Sequence, residues 1–206
     1  MSTVTLPDLA AVDFPQISIQ MEPAVKMTQD QFFEFCQQNS DKRLERTADG
    51  ELIILAPSGG EAGFQDMEVS WQLNNWAKSI GKGKVTGSSG GFILPNGANR
   101  AADAAWVTPE QLTMLTPEQM KKFLPICPFF LIEVMSPSDT LAKLQKKMQE
   151  YLANGCQLGW LIDPGMKKVH VCRPEQEVQI LDNPLTLAGD PELPGFVLDL
   201  EPVWRP

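Results

Sequence analysis

Residues 128–155 read "PFFLIEVMSPSDTLAKLQKKMQEYLANG", and residues 158–164 follow as "LGWLIDP". The first apolar run predicts a strand that stops at Ser136 and Pro137. At roughly 100° per residue, Leu141, Leu144, Met148, Tyr151 and Leu152 then gather on one side of a helix. A second apolar run follows it. Strand, helix and strand over 129–163 predict a crossover that sets its two strands parallel and adjacent. One residue is out of place: Glu133 sits in the first apolar run, sharing a face with Phe129, Leu131 and Met135 by alternation. A buried carboxylate needs a partner. Either Glu133 lies at an open strand end or a cation balances it.

Outward from this unit, the remaining segments supply hairpins and helices. Residues 1–26 show no period and are expected to form an extended arm, leaving 27–206 as one domain. "MTQDQFFEFCQQN" (27–39) reads as a helix with capping-box spacing at Thr28 and Gln31. "KRLERTADGELIILAP" (42–57) reads as a hairpin around Ala48, Asp49 and Gly50. "SGG" (58–60) opens a long helix whose buried stripe is Val69, Leu73, Trp76 and Ile80. "KVTGSSGGFILP" (84–95) and "AADAAWV" (101–107) suggest a second hairpin turning at "NGANR". Thr-Pro-Glu-Gln occurs at 108–111 and 116–119, each resembling a helix start. "KKVHVCRP" (167–174) pairs with the strand before it, and His170, alternating with Val169 and Val171, is expected to face solvent. The fold class expected is α/β: a mixed sheet flanked by helices, with additional β-hairpins.

The 206 residues are 43% hydrophobic and 21% charged, enough to bury a sizeable core. No apolar stretch approaches the roughly 20 residues of a membrane span. The N-terminus has neither the basic start nor the apolar core of a secretory signal. Cys36, Cys127, Cys156 and Cys172 are scattered, with no C-x-x-C pair and one histidine in the chain, so a zinc site is not expected. Reduced core thiols in a cytoplasmic protein are the expectation. The net charge of −9 argues against whole-surface attraction to nucleic acid but leaves room for a local basic cleft.

Chemistry concentrates in three residues. Asp103 precedes the strand-like "AAWV" although aspartate is depleted in strands, and Glu133 lies in the apolar run. Carboxylates on two adjacent strand ends are the hard donors that Mg²⁺ prefers. On the following helix, Lys147 falls about 90° from the centre of the apolar sector, Lys143 about 130° and Lys146 about 170°. Lys147 alone borders the buried side, while Lys146 is spaced to pair with Glu150. A snorkelling surface lysine is the plainer reading of Lys147, and a salt bridge that of Glu133. "GSSGG" lacks the ending of a phosphate loop. With His170 far from Ser136, no serine triad has a base.

A strand Asp, then Glu-Val-x-Ser-Pro, then Lys-Met-x-x-Tyr on a helix, then "GWLID-P", resembles the Uma-type restriction endonucleases. These abound in cyanobacteria and belong to the PD-(D/E)XK nuclease superfamily. "SGGEAGFQDMEVSWQLNNWA", "GSSGGFILPNGANRAADAAWV" and "LANGCQLGWLIDP" extend the likeness over about residues 29–204. The resemblance implies a restriction-endonuclease-like fold, with Asp103 and Glu133 as metal carboxylates and the Val134 carbonyl as a third ligand. It also implies Lys147 as the catalytic lysine, carried on the helix because Met135 occupies the superfamily's usual position. Ala102 likewise replaces the superfamily's proline. An acid from the first core helix completes such sites; Glu61 and Glu68 are candidates, and Glu68, beside Val69, ranks higher.

The expected protein is therefore a Mg²⁺-dependent DNA endonuclease, with Mn²⁺ as substitute metal, acting as a homodimer with no membrane partner. A rival from a different class is a catalytically degenerate nuclease fold that binds nucleic acid or a protein partner. A structural homo-oligomer using Phe32, Phe33, Phe129 and Phe130 at its interface is the third.

Overall fold

The computed structural model describes residues 18–19 and 27–206. The arm expected over 1–26 thus lies, apart from Ser18–Ile19, outside the described residues. The early part of the chain forms β1 (Ser18–Ile19), α1 (Gln29–Gln38), β2 (Arg43–Arg46), β3 (Leu52–Leu55) and α2 (Gly60–Ile80). Its middle forms β4 (Lys84–Gly87), β5 (Phe92–Ile93), β6 (Asn99–Arg100), β7 (Ala104–Val107) and α3 (Pro109–Thr113). Then come β8 (Phe130–Val134), α4 (Leu141–Ala153), β9 (Leu158–Asp163), β10 (Lys168–Cys172), β11 (Gln179–Asp182), β12 (Thr186–Ala188), β13 (Val197–Asp199) and α5 (Glu201–Trp204).

The crossover is the centre of a six-stranded mixed sheet ordered β11-β10-β9-β8-β7-β4. β8 and β9 run parallel, with Phe130 opposite Leu158 and Val134 opposite Ile162. A five-stranded sheet, β1-β3-β2-β6-β5, lies beside it, and β12-β13 form a ribbon.

Alternation along the strands divides the core in two. Phe130, Ile132 and Val134 of β8 face one way, with Ala104, Trp106, Trp160, Val69 and Leu73, so α2 covers this face. There Trp160 stacks on Phe196 with ring centroids 5.5 Å apart, and Phe130 meets Trp160 edge-on at 4.8 Å. Leu131, Ala105 and Leu161 face the other way, against Leu144, Met148 and Tyr151 of α4. Asp103, Glu133 and Gly159 have the parity of this second face. A Cβ on Gly159 would stand 2.3 Å from Met148 Sδ, so the missing side chain is what seats α4 at its depth. At the end of α2, Gly81 adopts φ 63°, the left-handed cap that terminates a helix cheaply.

Several expectations change. The segment read as one hairpin over 84–107 is split: β4 pairs with β7 in the six-stranded sheet, whereas β5 and β6 turn back on each other in the five-stranded one. Both Thr-Pro-Glu-Gln boxes form their reciprocal bonds, at Thr108 with Gln111 and Thr116 with Gln119. The first opens the five-residue α3, the second only a 3-10 turn at Gln119–Lys121. His170 is buried rather than solvent-facing, so both faces of β10 are covered at this position. Phe32 and Phe130 are wholly buried in the core and unavailable to an interface. All four cysteines are free, three of them buried. Among the described residues no helix is long and apolar enough to cross a membrane.

Candidate active site

β7 and β8 pair antiparallel with Ala104 opposite Ile132. Carried one residue further, this register sets Asp103 opposite Glu133, on the same face of the sheet. The chain then holds Asp103 tightly. Its Oδ2 accepts the Val134 N–H at 2.8 Å, and its backbone carbonyl accepts the Ser70 hydroxyl of α2 at 3.0 Å. Met135 N–H goes to Ile162 in β9, so the peptide groups of Val134 face the β7 side, toward Asp103.

From the other side of the site, α4 lowers one lysine onto the sheet. Lys147 Nζ lies 2.8 Å from Glu133 Oε1 and 2.9 Å from Glu45 Oε1. It donates to the Ala101 carbonyl at 3.1 Å. The buried Glu133 Oε1 has this ion contact but no aligned hydrogen-bond donor. Glu45, projecting from β2, is fixed in turn: it accepts the Ala101 N–H at 3.1 Å and pairs with Arg100 at 3.0 Å. Arg100 reaches onward to Glu150 at 2.6 Å. Arg43, two residues before Glu45 on the same strand, stands 3.6 Å from Asp103 Oδ1.

Burial and charge divide the carboxylates into two kinds. Burial pushes Glu133 up to about 8, against the pull of Lys147 and with the charges of Asp103 and Glu45 adding to the rise. Burial raises Asp103 too, although Lys147, the Val134 N–H and Arg43 oppose it. Glu45 is equally buried, but Lys147 and Arg100 outweigh desolvation and hold it below the ordinary range. Lys147 stays firmly charged because Glu133 and Glu45 overcome its burial. Two buried carboxylates thus share one cation, and Glu45 has Arg100 as a second partner.

Asp103, Glu133 and Lys147 meet at one point. Lys143 and Lys146 of the same helix are exposed, and Glu150 is taken by Arg100 rather than by Lys146. Glu68 lies apart. Its carboxylate accepts from Gln72, which also binds the Asp199 backbone on the β13 side of α2. Glu61 is exposed in the first turn. The acid that α2 turns toward the site is Asp66, one helical turn before Ser70. Burial, then the charge of Asp103, lifts it to about 7. Sequence reasoning missed Glu45, Arg43 and Asp66. "RLER" did carry a signal, a carboxylate at a buried strand position, like that of Glu133.

Among the described residues no group of three or more His, Cys, Asp or Glu side chains converges as a ligand cluster. Mg²⁺ does not require one, since it binds through one or two carboxylates and keeps several waters. Asp103, Glu133 and the Val134 carbonyl are hard oxygen donors of that kind and fit it.

Residues 29–201 match the Uma2 family, described as "Putative restriction endonuclease". Among solved structures, a crystal structure of "a putative nuclease belonging to DUF820" from Anabaena variabilis superposes with a TM-score of 0.72 at 22% identity. The match covers 87% of this chain and 98% of that one, and shows a shared fold. No curated protein matches the chain.

Proposed function

The chain belongs to the Uma2 family, and from that premise we propose that it is a Mg²⁺-dependent DNA endonuclease, with Mn²⁺ as substitute, hydrolysing phosphodiester bonds. The observation that carries this reading is the meeting of Asp103, Glu133 and Lys147 at one buried point of an otherwise apolar crossover. Asp103, Glu133 and the Val134 carbonyl would hold the ion, and Asp66 is the acid from α2 assigned to the site in place of Glu68. When bound, such an ion polarises a phosphoryl oxygen and lowers the pKa of water. Lys147 supplies a fixed positive charge where negative charge develops on the phosphoryl oxygens. Glu45, braced by Arg100, positions that ammonium. Arg43 offers a forked donor to the non-bridging oxygens of the same phosphate. A homodimer, which would let two such sites cut opposite strands, is part of the proposal; the exposed Phe64, Met67 and Trp71 stripe on α2 is one apolar surface available for it.

The rival, a degenerate fold that binds nucleic acid or a protein, is favoured by one observation: Lys147 gives Glu133 and Glu45 a cationic partner from within the chain. Two measurements separate the readings. Plasmid is expected to be nicked by the protein with Mg²⁺ or Mn²⁺ but not by Glu133→Gln. Calorimetry is expected to give a divalent-metal isotherm that Asp103→Asn abolishes and Glu68→Gln preserves. Equal nicking by wild type and Glu133→Gln, or no metal isotherm, would remove the endonuclease reading.

A further inference from the structure

A cavity of about 250 Å³ opens on the face of β2 that carries Arg43 and Glu45. It shares a wall with the carboxylate site: Ala101 lines it, while the N–H and carbonyl of that residue are held by Glu45 and Lys147. We propose that this cavity is a subsite for one nucleotide of the strand being cut, its base drawn out of the stack and its phosphate held at the carboxylates. The inference rests on the endonuclease reading.

Charge is the first argument. Lys42, Arg43 and Arg100 line the cavity against one carboxylate, Glu45, in a protein whose net charge is −9. Only Arg43 among these cations lacks a short carboxylate pair, and a guanidinium so placed in an acidic molecule can take an anion. Arg100 is committed to Glu45 and Glu150 and Lys42 to Asp41, whereas Arg43 makes no side-chain hydrogen bond among the described residues. Arg43 therefore has donors to spare between the cavity and Asp103, where a phosphate joining the two would lie.

The second argument is the division of the walls. Ser88 and Ser89 present hydroxyls, whereas Leu44, Phe92 and Phe123 are apolar. A Cβ on Gly91 would stand 2.3 Å from the Phe123 ring, so this glycine lets the ring close the wall. Phe123 is propped edge-on by Phe33 at 5.3 Å. An anionic end, hydrogen-bonding sides and an aromatic wall match phosphate, sugar edge and base, and bases stack on aromatic rings with little regard to sequence. The volume lies just below the usual range for ligand pockets, so it suits the base of one nucleotide and not a duplex.

The test uses duplex DNA carrying a single 2-aminopurine at successive positions, bound to the non-cleaving Glu133→Gln protein. Binding is read by anisotropy and extrusion by 2-aminopurine emission. Emission is expected to rise about threefold or more at one position, as an unstacked base should. Adding Ser89→Trp, an exposed residue whose larger ring fills the cavity, is expected to abolish the rise while anisotropy still reports binding. The thermal midpoint of that variant checks its folding. Binding with no rise at any position, or a rise indifferent to Ser89→Trp in a folded protein, would overturn the subsite and leave the nuclease reading standing. Absence of DNA binding in every arm would overturn both.

Discussion

Glu133 is tolerated in an apolar strand because a cation waits for it, and that cation is Lys147. The ammonium does not belong to Glu133 alone, since it lies almost equally near Glu45. Lys147→Met would leave Glu45 with Arg100 but strip Glu133 of its cation, so the carboxyl would hold its proton to still higher pH. We expect nicking to fall roughly 100-fold or more, as for loss of one preorganised transition-state donor. The fold should survive at a cost of up to about 3 kcal/mol, less than a fully uncompensated buried charge. Lys146→Met, at an exposed position, should change activity by less than about twofold. Plasmid nicking by both variants, well below their thermal midpoints, checks this. Greater damage from Lys146→Met would displace Lys147 from its assigned role.

Elements deliver these residues to one another, and α4 has the narrowest tolerance. Its depth over the sheet is set where Met148 lies against Gly159, and Lys147 is the adjacent residue on the helix. Gly159→Ala would place a methyl 2.3 Å from Met148 Sδ. The thioether, buried among Leu144, Tyr151 and Leu161, has little room to yield. Overpacking of this kind costs about 1–3 kcal/mol. Because the strain falls on the helix that carries Lys147, nicking should fall together with stability. Denaturant unfolding and nicking rates of this one variant test the coupling; unchanged stability would mean that α4 is not seated by this contact.

At the scale of the whole molecule, the buried charges set how stability follows pH. Glu133 and Asp66 have folded pKa values of about 8 and about 7, above the ordinary 4.5 and 3.8. A raised carboxyl binds its proton more tightly in the folded state. Its contribution is therefore complete below the unfolded pKa and is lost as pH rises through the folded one. In EDTA the thermal midpoint should fall between about pH 5 and pH 8, the two groups together removing on the order of a few kcal/mol. Glu45, depressed by Lys147 and Arg100, acts oppositely and only at the acid end. Glu133→Gln should flatten the fall and be the more stable protein at pH 8. A wild-type midpoint that climbs over this range would contradict the assignment.

The amino-acid sequence by itself determined the parts governed by local periodicity. The crossover over 129–163, the phase of α4 that singles out Lys147, the β2–β3 hairpin and the capping boxes were legible because neighbouring residues impose them. Asp103 and Glu133 were legible as polar residues in apolar strands. Tertiary structure decided the rest. Only the pairing of β4 with β7 and of β5 with β6 divides residues 84–107 between two sheets. Only the tertiary packing buries His170. Glu45 reaches Lys147 across 102 positions because a second sheet is packed against the first, and Asp66 displaces Glu68 because the docking of α2 selects which face meets β7. Periodicity orders side chains around an element; it does not say which neighbour each face will meet, and that choice falls to the burial of the core as a whole.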